Sequence, residues 1–280
     1  MKRTVAFQGE LGAFSQVAAS QLAPDHEPAP LAAFDQVFAA ASNGKVTAAV
    51  IPIENTLHGS VHENYDHLLK YDLPIHGETF VRIVHNLIAP PGVRRSQIHQ
   101  VYSHPVALNQ CRQFFEGNPT FEKTPFYDTA GSVKMLMEKS LNDAGAIASA
   151  TAAEIYGARI LQKSIEDDRE NYTRFFLLKR PGIKQSVRPI SGIRYKTSVV
   201  FTVKNIPGAI FRALSVFALR DLNLTKIESR PLRGKPWDYL FYVDFVGHTA
   251  DPVTVHALSH LAELADMWRV LGCYPAAKQS

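Results

Sequence analysis

Polar side chains recur at the ends of the apolar, strand-like segments in the first 180 residues of this chain. The hydroxyl, amide and carboxyl groups concerned belong to Glu54, Asn55, Thr56, Ser103, Asp128, Thr129, Ser149 and Thr151, and to residues 171–174. Taken singly, each is explained by a helix cap or an Asx turn. Because parallel strands end at one edge of a sheet, the set predicts a polar cleft rich in neutral donors. Such a cleft suits a small, oxygen-rich, anionic substrate.

Thr173 and Arg174 stand side by side in the segment ENYTRFFLLKR, residues 170–180. Its apolar half is typical of a buried strand, in which a β-branched threonine is common. The threonine hydroxyl is also a hydrogen-bond donor that chemistry can use. Neighbouring strand residues point to opposite faces, so both side chains can reach one ligand only if the strand bends. The residues alone leave both interpretations of Thr173 open.

The motifs of nucleotide and metal sites are incomplete in this chain. The segment GELG, residues 9–12, lacks both G-x-G-x-x-G and the P-loop lysine, so Gly9 and Gly12 indicate a sharp turn or a close approach to a ligand. His58 and His62 are four residues apart in a histidine-rich, acidic stretch, but H-E-x-x-H is absent. We predict a solvated helix face there and no metal.

Ser103 precedes His104 and Pro105 where a strand is expected to turn into a helix. Adjacent residues rarely form a nucleophile–base pair, because that pair needs side chains that face each other. Two roles stay open for Ser103. It caps the helix that begins at Pro105, or it binds substrate at the N-terminus of that helix.

The composition is that of a globular protein, with 46% hydrophobic and 20% charged residues in a chain of 280. The net charge of +4 comes from scattered lysines and arginines, so no nucleic-acid-binding stripe is predicted. No window approaches the ~20 apolar residues of a membrane span, and the N-terminus lacks the apolar run of a signal peptide. Two widely spaced cysteines favour a reducing compartment. We therefore expect a cytoplasmic protein with no membrane or nucleic-acid partner.

Strands alternate with helices through residue 180, which predicts an α/β architecture with mainly parallel sheets. Helices are expected from Ser15 and from Pro105, and a strand is expected at residues 126–128. A long strand near residues 79–89 and the strand at 172–178 are expected to cross between two lobes. Residues 1–180 are the predicted catalytic region, and 181–195, which contain proline and glycine, a linker. Residues 196–280 have the βαββαβ pattern of a ferredoxin-like domain.

Several of these segments resemble the prephenate dehydratase family with a C-terminal ACT regulatory domain. They are FQGELGAFS, PIENTLHGSV, SHPVALNQC, YDTAGSVK, AIASATAAEIYG and NYTRFF, followed by PGAIF and IESRP in the C-terminal domain. The resemblance covers essentially the full chain and implies a two-lobed catalytic region like that of periplasmic binding proteins. Val106 is a departure, because the family usually has glutamine after Ser-His-Pro.

The resemblance implies the decarboxylative dehydration of prephenate to phenylpyruvate, with loss of water and carbon dioxide, in L-phenylalanine biosynthesis. Aromatisation drives this reaction, so no cofactor is expected. Its barrier is the departure of hydroxide, a poor leaving group. A proton or hydrogen-bond donor beside the hydroxyl is worth about 10²–10⁴-fold in rate.

By the same resemblance, Thr173 is the predicted donor, through a hydrogen bond that strengthens as the C–O bond breaks. Asn55, Ser103 and Gln110 are predicted to orient the substrate or to assist with hydrogen bonds. The other predicted substrate-binding residues are Glu54, Thr56, Asp128, Thr129, Ser149, Arg174 and Phe175. Two roles stay open for Arg174: it binds the pyruvyl carboxylate of the substrate, or it forms an ion pair with Glu54 or Asp128 that shapes the cleft.

The resemblance also implies that the C-terminal domain binds L-phenylalanine between paired domains of a homodimer or homotetramer. The predicted effector-binding residues are Gly208, Ala209, Ile210, Phe211, Glu228, Ser229 and Arg230. Feedback follows if the effector favours a less active state. Two alternatives are kept, arogenate as the substrate and a non-catalytic protein that senses amino acids. The adjacent Thr173 and Arg174 argue against the second.

Overall fold

The computed structural model describes residues 3–180, 182–183, 189–232, 234–235 and 237–278. Their helices, in chain order, are α1 Phe14–Leu22, α2 Phe34–Ser42, α3 His62–Tyr71, α4 Pro105–Asn109, α5 Arg112–Glu116, α6 Thr129–Lys139, α7 Ala150–Ile155, α8 Ala209–Ala218 and α9 Pro252–Leu264. Their strands are β1 Thr4–Gln8, β2 Glu27–Leu31, β3 Ala48–Asn55, β4 Gly59–Ser60, β5 Ile75–Arg82, β6 Asn86–Ala89, β7 Gln100–Ser103, β8 Glu122–Pro125, β9 Ala144–Ala148, β10 Arg159–Gln162, β11 Tyr172–Leu178, β12 Tyr195–Thr202, β13 Leu224–Pro231, β14 Tyr239–Val246 and β15 Met267–Pro275. No helix in this part of the chain has the length and apolarity that a membrane crossing requires.

Contacts divide the chain into two compact units. The first contains residues 1–61 and 79–175, and the second 62–78 and 176–280, so one boundary directly precedes α3 and the other two fall inside β5 and β11. Helix α3 therefore groups with the C-terminal domain, although its sequence lies within the predicted catalytic region 1–180. The limits of the predicted linker, 181–195, stay predictions, because residues 181 and 184–188 lie outside the described ones.

The first lobe is built on a sheet with the strand order β2-β1-β3-β11-β5, in which β4 also pairs with β3. Residues 5–7 of β1 and 48–51 of β3 are buried throughout, as is typical of parallel strands covered on both faces. β1 runs parallel to both β2 and β3. The N–H of Thr56 donates to the carbonyl of Tyr172 (2.9 Å), so the end of β3 lies beside the start of β11.

The second lobe is built on a sheet with the order β10-β6-β9-β7-β8. β7 is parallel to β8 and β9, whereas β6 is antiparallel to β9 and β10. The small residues of β9 allow close packing: a Cβ on Gly145 would lie 3.1 Å from Leu87 Cδ1. The two-lobed α/β architecture is confirmed, with a mixed sheet in this lobe.

Residues 79–89 do not form one long strand. β5 ends at Arg82 in the first sheet, and β6 begins at Asn86 in the second. Between them the N–H of Ile83 donates to the Asn171 carbonyl (2.8 Å) and that of His85 to Glu166 Oε2 (2.9 Å). The chain therefore crosses between the lobes at residues 83–85, a break that the strand-like sequence of residues 79–89 does not reveal.

Other expected elements begin or end elsewhere. The helix expected from Ser15 begins at Phe14, and Ala13 at its N-cap position makes no side-chain cap. The strand expected at 126–128 lies at Glu122–Pro125 instead. β2 contains two prolines, so the sequence does not indicate a strand there. It lies at the edge of the sheet, where the missing N–H groups of proline are tolerated. The helix expected from Pro105 is interrupted after Asn109, and Gln110 lies in the interruption.

The second unit contains an antiparallel sheet with the order β13-β14-β12-β15. Helices α8 and α9 pack on one face over an apolar core that includes Val199, Phe217, Phe245 and Leu261. This is the ferredoxin-like βαββαβ arrangement, which confirms the prediction for the C-terminal domain.

Helix α3 packs against the other face of this sheet. The Tyr65 and Tyr242 rings meet edge to face at 4.9 Å, and Tyr242 Oη donates to the Tyr65 carbonyl (2.9 Å). A Cβ on Gly272 of β15 would lie 2.2 Å from the Ile75 carbonyl oxygen, so only glycine permits this approach. These contacts explain why residues 62–78 group with the C-terminal domain.

Candidate active site

A cavity of about 340 Å³ is lined by residues of both lobes of the first unit. The residues of the predicted substrate site that line it are Asn55, Gln110, Asp128, Thr129, Thr173 and Phe175. They come from the end of β3, the break after α4, the start of α6 and from β11. The remaining lining residues are Gln8, Phe14, His58, Val61, Ile83, His85, His104, Val106, Ala107 and Tyr127.

The amide of Asn55 fixes the hydroxyl of Thr173. Asn55 Oδ1 accepts the backbone N–H groups of Leu57 (3.0 Å) and His58 (3.0 Å), so Nδ2 must face the other way. Nδ2 lies 2.8 Å from Asn171 Oδ1, 2.9 Å from Thr173 Oγ1 and 3.1 Å from the Tyr172 carbonyl oxygen, so its two hydrogens are shared among three acceptors. An amide nitrogen only donates, so Thr173 Oγ1 is the acceptor. The Thr173 hydroxyl donates no hydrogen bond to any described residue, so its proton is left to the cavity that Thr173 lines.

Strand β11 alternates regularly through this region. Thr173 and Phe175 line the cavity, and Arg174 between them lies on the opposite face. There its guanidinium pairs with Glu54 (3.3 Å), and only 3% of the Arg174 side chain is exposed. The structure therefore contains the ion pair, which keeps both Arg174 and Glu54 out of the cavity lining.

Ser103 also lies outside the lining. Its side chain is fully buried, and Oγ donates to the Ile147 carbonyl (2.6 Å). The predicted cap of the helix at Pro105 is formed by His104, whose Nδ1 accepts the N–H of Val106 (3.2 Å). The capping prediction for Ser103 is wrong, because β7 directs this hydroxyl toward the neighbouring strand β9.

Thr56 and Ser149 bind backbone groups that hold the lobes in shape. Thr56 Oγ1 donates to the Glu170 carbonyl (2.7 Å) and accepts the N–H of Tyr172 (3.0 Å). Ser149 caps α7 and donates to the Gly12 carbonyl (2.6 Å). Neither side chain lines the cavity.

Asp128 supplies the carboxyl group of the lining. It is the N-cap of α6 and accepts the N–H of Gly131 (2.7 Å). Burial raises the pKa of Asp128, and the nearby Glu10 carboxylate adds to this, while N–H groups at the helix start and His104 oppose the rise. Thr129 follows in the first turn of α6 and lines the same cavity.

Lysine and arginine do not occur among the described residues of the cavity lining. The side chains there that can become cationic are His58, His85 and His104. Burial lowers the pKa of His85, against the opposing effects of its hydrogen bond to Gln110 and of the Glu166 charge. His85 is therefore neutral at pH 7, and the lining offers mainly neutral donors.

Three side chains form a hydrogen-bonded row along one wall. His85 Nε2 lies 2.8 Å from Gln110 Oε1, and Gln110 Nε2 lies 3.2 Å from His58 Nδ1. The His85 ring packs edge-on against Phe14 at 5.7 Å. The row joins the link between the lobes to the loop that follows Asn55.

The loop after β1 packs against the second lobe. Glu10 accepts the hydroxyl of Tyr127 (2.9 Å) and pairs with Lys134 (3.1 Å). Gly12 has φ +89°, and a Cβ there would lie 2.5 Å from Ala152 Cα. Gly12 is thus required for close packing on α7.

The histidines in the stretch after β3 do not share one site, because each has different neighbours. His62 pairs with Glu228 (3.3 Å) and His67 with Glu63 (3.3 Å), whereas His58 lines the cavity. Over the described parts of the chain, no group of three or more histidine, cysteine or acidic residues could hold a metal ion.

The predicted effector residues lie on both faces of the C-terminal sheet. Gly208, with φ +76°, precedes α8, and Ala209 and Ile210 line a cavity of about 110 Å³, while Phe211 is exposed. Ser229 is the cross-strand partner of Phe241, which lines the same cavity.

Glu228 and Arg230 lie on the face that α3 covers. Glu228 is within 3.3 Å of His62, and Arg230 pairs with Asp66 (3.3 Å). The signature Glu-Ser-Arg thus reaches two different environments, since adjacent strand residues point to opposite faces.

Some lining side chains are absent from the sequence-based prediction. A signal for His104 is present, because it stands where a strand is expected to turn into a helix. Tyr127 is expected inside a strand at 126–128, whereas the strand ends at Pro125. His58 follows Asn55 in the same loop. His85 carries no such signal, because its surroundings have the pattern of a continuous strand.

Comparisons with known proteins agree with this architecture. The family model for prephenate dehydratase matches residues 5–182, and that for the ACT domain matches 197–262. Arogenate dehydratase/prephenate dehydratase 2 of Arabidopsis thaliana is 46% identical over 280 residues, which is 97% of this chain and 72% of the relative. The chain belongs to the prephenate dehydratase family, and a dehydratase lyase is the activity that this membership supports.

Two solved structures are similar over nearly the whole chain. GqqA, described as a novel type of quorum quenching acylase, has a TM-score of 0.89 and 34% identity, covering 98% of both chains. Prephenate dehydratase from Arthrobacter aurescens in complex with L-Phe has a TM-score of 0.87 and 32% identity, covering 97% of this chain and 90% of that one.

The predicted cytoplasmic location is contradicted by the comparison. The Arabidopsis relative that matches 97% of this chain is named as chloroplastic. The two widely spaced cysteines argue only against an oxidising environment, and they do not separate one reducing compartment from another.

Proposed function

We propose that this protein converts prephenate to phenylpyruvate, water and carbon dioxide. The observation that carries the proposal is the Thr173 hydroxyl, whose oxygen accepts the Asn55 amide and whose proton is left to the cavity. A donor fixed in this way needs no reorganisation when the substrate hydroxyl begins to leave.

In the proposed reaction the bond between the ring and its carboxylate breaks, and its electron pair enters the ring. The C–O bond at the opposite ring carbon breaks, and the departing hydroxide takes up one proton supplied by solvent and leaves as water. The substrate dianion thereby becomes the product monoanion. Thr173 is too weak an acid to protonate the hydroxyl before the bond breaks, so its contribution is a hydrogen bond to the oxygen as charge develops there. Phe175 forms an apolar wall for the ring.

The charge of the lining supports loss of the ring carboxylate. A lysine or arginine paired with that carboxylate would stabilise the ground state more than the transition state, in which the carboxylate is becoming neutral carbon dioxide. The described lining contains neither residue. Neutral donors such as Gln110 and the first turn of α6 hold the substrate without opposing decarboxylation.

Arogenate is a second candidate substrate, and a specific observation favours it. Arogenate carries an ammonium group where prephenate has a keto group, and Asp128 supplies a carboxyl group to the lining. An adjacent ammonium would favour the ionised form of that acid, whose pKa is raised by burial. The name of the Arabidopsis relative contains both activities.

For the C-terminal domain we propose binding of L-phenylalanine at the start of α8, near Ala209 and Ile210, between the domains of a homodimer or homotetramer. Its support is the cavity there, the left-handed Gly208 that leaves the backbone accessible, and the similar Arthrobacter protein in complex with L-Phe. The free energy by which the effector shifts the protein toward the less active state then equals the difference between its binding free energies for the two activity states.

The test is turnover of prephenate, followed by phenylpyruvate absorbance, with arogenate as a competing substrate and with or without L-phenylalanine. Thr173→Val is nearly isosteric and removes the hydroxyl, and we expect it to lower kcat by about 10²–10⁴-fold. Thr173→Ser should keep a large part of the activity. Thr124→Val is the matched control, because the Thr124 hydroxyl is buried without a partner in the described chain and lies outside the cavity. Near-normal kcat in Thr173→Val would remove the donor role.

A further inference from the structure

We propose that His85 is a positioning residue of the dehydratase site, which orients the amide of Gln110 and, through it, the imidazole of His58. Its kinetic role rests on the proposed function, whereas the geometry that it imposes can be measured without any substrate.

The first step is the protonation of His85. The residue is 2% exposed, and burial keeps it neutral, so its ring carries one N–H. Nδ1 is buried and has no hydrogen-bond partner among the described residues, whereas Nε2 lies 2.8 Å from Gln110 Oε1. The proton belongs on Nε2, where an acceptor is present.

The second step is the orientation of Gln110. Because Oε1 accepts from His85, the amide nitrogen faces His58 and donates to its Nδ1 (3.2 Å). The opposite arrangement, with the amide turned and the His85 proton on Nδ1, would bury an N–H that has no acceptor among the described residues. One hydrogen of the Gln110 amide is used by His58, and the second is available to a ligand in the cavity.

The third step is the state of His58. Its Nδ1 accepts from Gln110, so its own proton lies on Nε2. Asn55 Oδ1 is 3.3 Å from the same Nδ1, but this oxygen already accepts two backbone N–H groups. The row therefore presents two oriented neutral donors, from Gln110 and His58, to a substrate with two carboxylates.

The position of the His85 ring is fixed from outside the cavity. Its backbone N–H donates to Glu166 Oε2 (2.9 Å), and Glu166, with a side chain 1% exposed, pairs with Arg82 (3.2 Å). Phe14 packs edge-on against the ring. A ring held in this way can transmit its orientation to Gln110, which lies in the irregular break after α4.

The kinetic test is a double-mutant cycle between His85 and Gln110. His85→Leu removes the N–H and leaves the partly buried amide oxygen of Gln110 without a donor, so we expect kcat/KM to fall about 10- to 100-fold. His85→Gln places an amide nitrogen near the former Nε2 and should recover most of the loss. His85→Leu in the Gln110→Ala background should add little, because the residue acts through Gln110. His99→Leu, at an exposed histidine outside the cavity, is the control.

Multiplicative losses in the double variant, or no rescue by His85→Gln, would overturn the proposal. A second measurement covers the case in which His85→Leu does not fold. Two-bond ¹H–¹⁵N spectra of the ¹⁵N-histidine-labelled wild type should show neutral His85 with a proton on Nε2 and a bare Nδ1 at pH 7 to 8. A proton on Nδ1 refutes the assignment. If neither prephenate nor arogenate is converted, the proposed function fails while the spectrum still decides the geometry.

Discussion

Replacing Asn55 by aspartate exchanges one hydrogen-bond donor, Nδ2, for an acceptor oxygen and leaves the shape of the side chain nearly unchanged. Oδ1 of Asn55 can still accept the N–H groups of Leu57 and His58. The second oxygen of the substituted carboxylate would replace Nδ2, which now faces Thr173 Oγ1 (2.9 Å) and Asn171 Oδ1 (2.8 Å). The hydroxyl of Thr173 would then donate to the carboxylate, and its proton would be withdrawn from the cavity.

The expected loss of activity follows from this reversal. If the Thr173 proton is the catalytic hydrogen bond, Asn55→Asp should lower kcat by about the same 10²–10⁴-fold as removal of the hydroxyl. The effect on stability is separate. Asn171 can turn its amide and donate, because its Nδ2 has no partner among the described residues. The Tyr172 carbonyl oxygen, 3.1 Å from the same position, cannot donate, so the free energy of unfolding should fall by about 1–3 kcal/mol. Part of this should return at acidic pH, where the substituted carboxyl group is protonated and can donate again.

The assay compares kcat and KM of wild type, Asn55→Asp, Thr173→Val and the double variant, with urea denaturation of each. Asn55→Asp should add little to the kcat loss of Thr173→Val, because both remove the same donor. Asn55→Gln is unsuitable as a control, since its longer side chain cannot keep the two backbone hydrogen bonds. A kcat for Asn55→Asp within a few-fold of wild type, in a folded protein, would refute the reasoning.

Three further predictions concern stability. Glu54→Gln removes a carboxylate from the buried guanidinium of Arg174 and should lower the free energy of unfolding by about 2–3 kcal/mol in urea titration, a result that an unchanged midpoint would contradict. Gly12→Ala should lower the free energy of unfolding by about 3 kcal/mol or more in the same titration. Gly117→Ala is the control: no atom lies closer than 3.5 Å to the new Cβ, so the loss should be less than about 1 kcal/mol. Equal losses in the two variants would argue that close packing is not what requires Gly12. Burial, and to a lesser extent Lys179, lowers the pKa of His76 from 6.5 to about 4, so the unfolded state binds the proton first and the free energy of unfolding falls as the pH drops from 6.5 toward 4. His76→Gln should flatten the pH dependence of the urea midpoint over this range. An unaltered slope in the variant would count against this account.

How much of the site could be predicted depends on where the polar residues stand. Asn55, Asp128 and Thr129 line the cavity because they follow strands and precede or cap the next element, which sequence periodicity can detect. Ser103 has the same kind of position, yet its hydroxyl turns to the neighbouring strand. The direction of a side chain at a strand end depends on register, and a single sequence does not specify register there.

The link at residues 83–85 shows a second limit. Apolar residues run on both sides of His85, and the pattern of one strand is the same as that of two strands in different sheets. The break is set by tertiary contacts, such as those of Ile83 with Asn171 and of His85 with Glu166. By contrast, Glu228 and Arg230 lie on one face of the C-terminal sheet and Ser229 on the other, as the alternation of side chains along a strand predicts.

The two amides of the site indicate how a cavity with few charges can still act on a charged substrate. As the ring carboxylate becomes carbon dioxide, negative charge moves toward the departing oxygen, so a fixed cation at the carboxylate opposes the reaction and a donor at the oxygen assists it. A neutral donor assists only if its orientation is fixed beforehand. Backbone N–H groups fix Asn55, which orients Thr173, and the buried His85 fixes Gln110. Removing Asn55 should therefore reduce kcat/KM nearly as much as removing the Thr173 hydroxyl. Likewise, removing the His85 ring should reduce it nearly as much as removing the Gln110 amide.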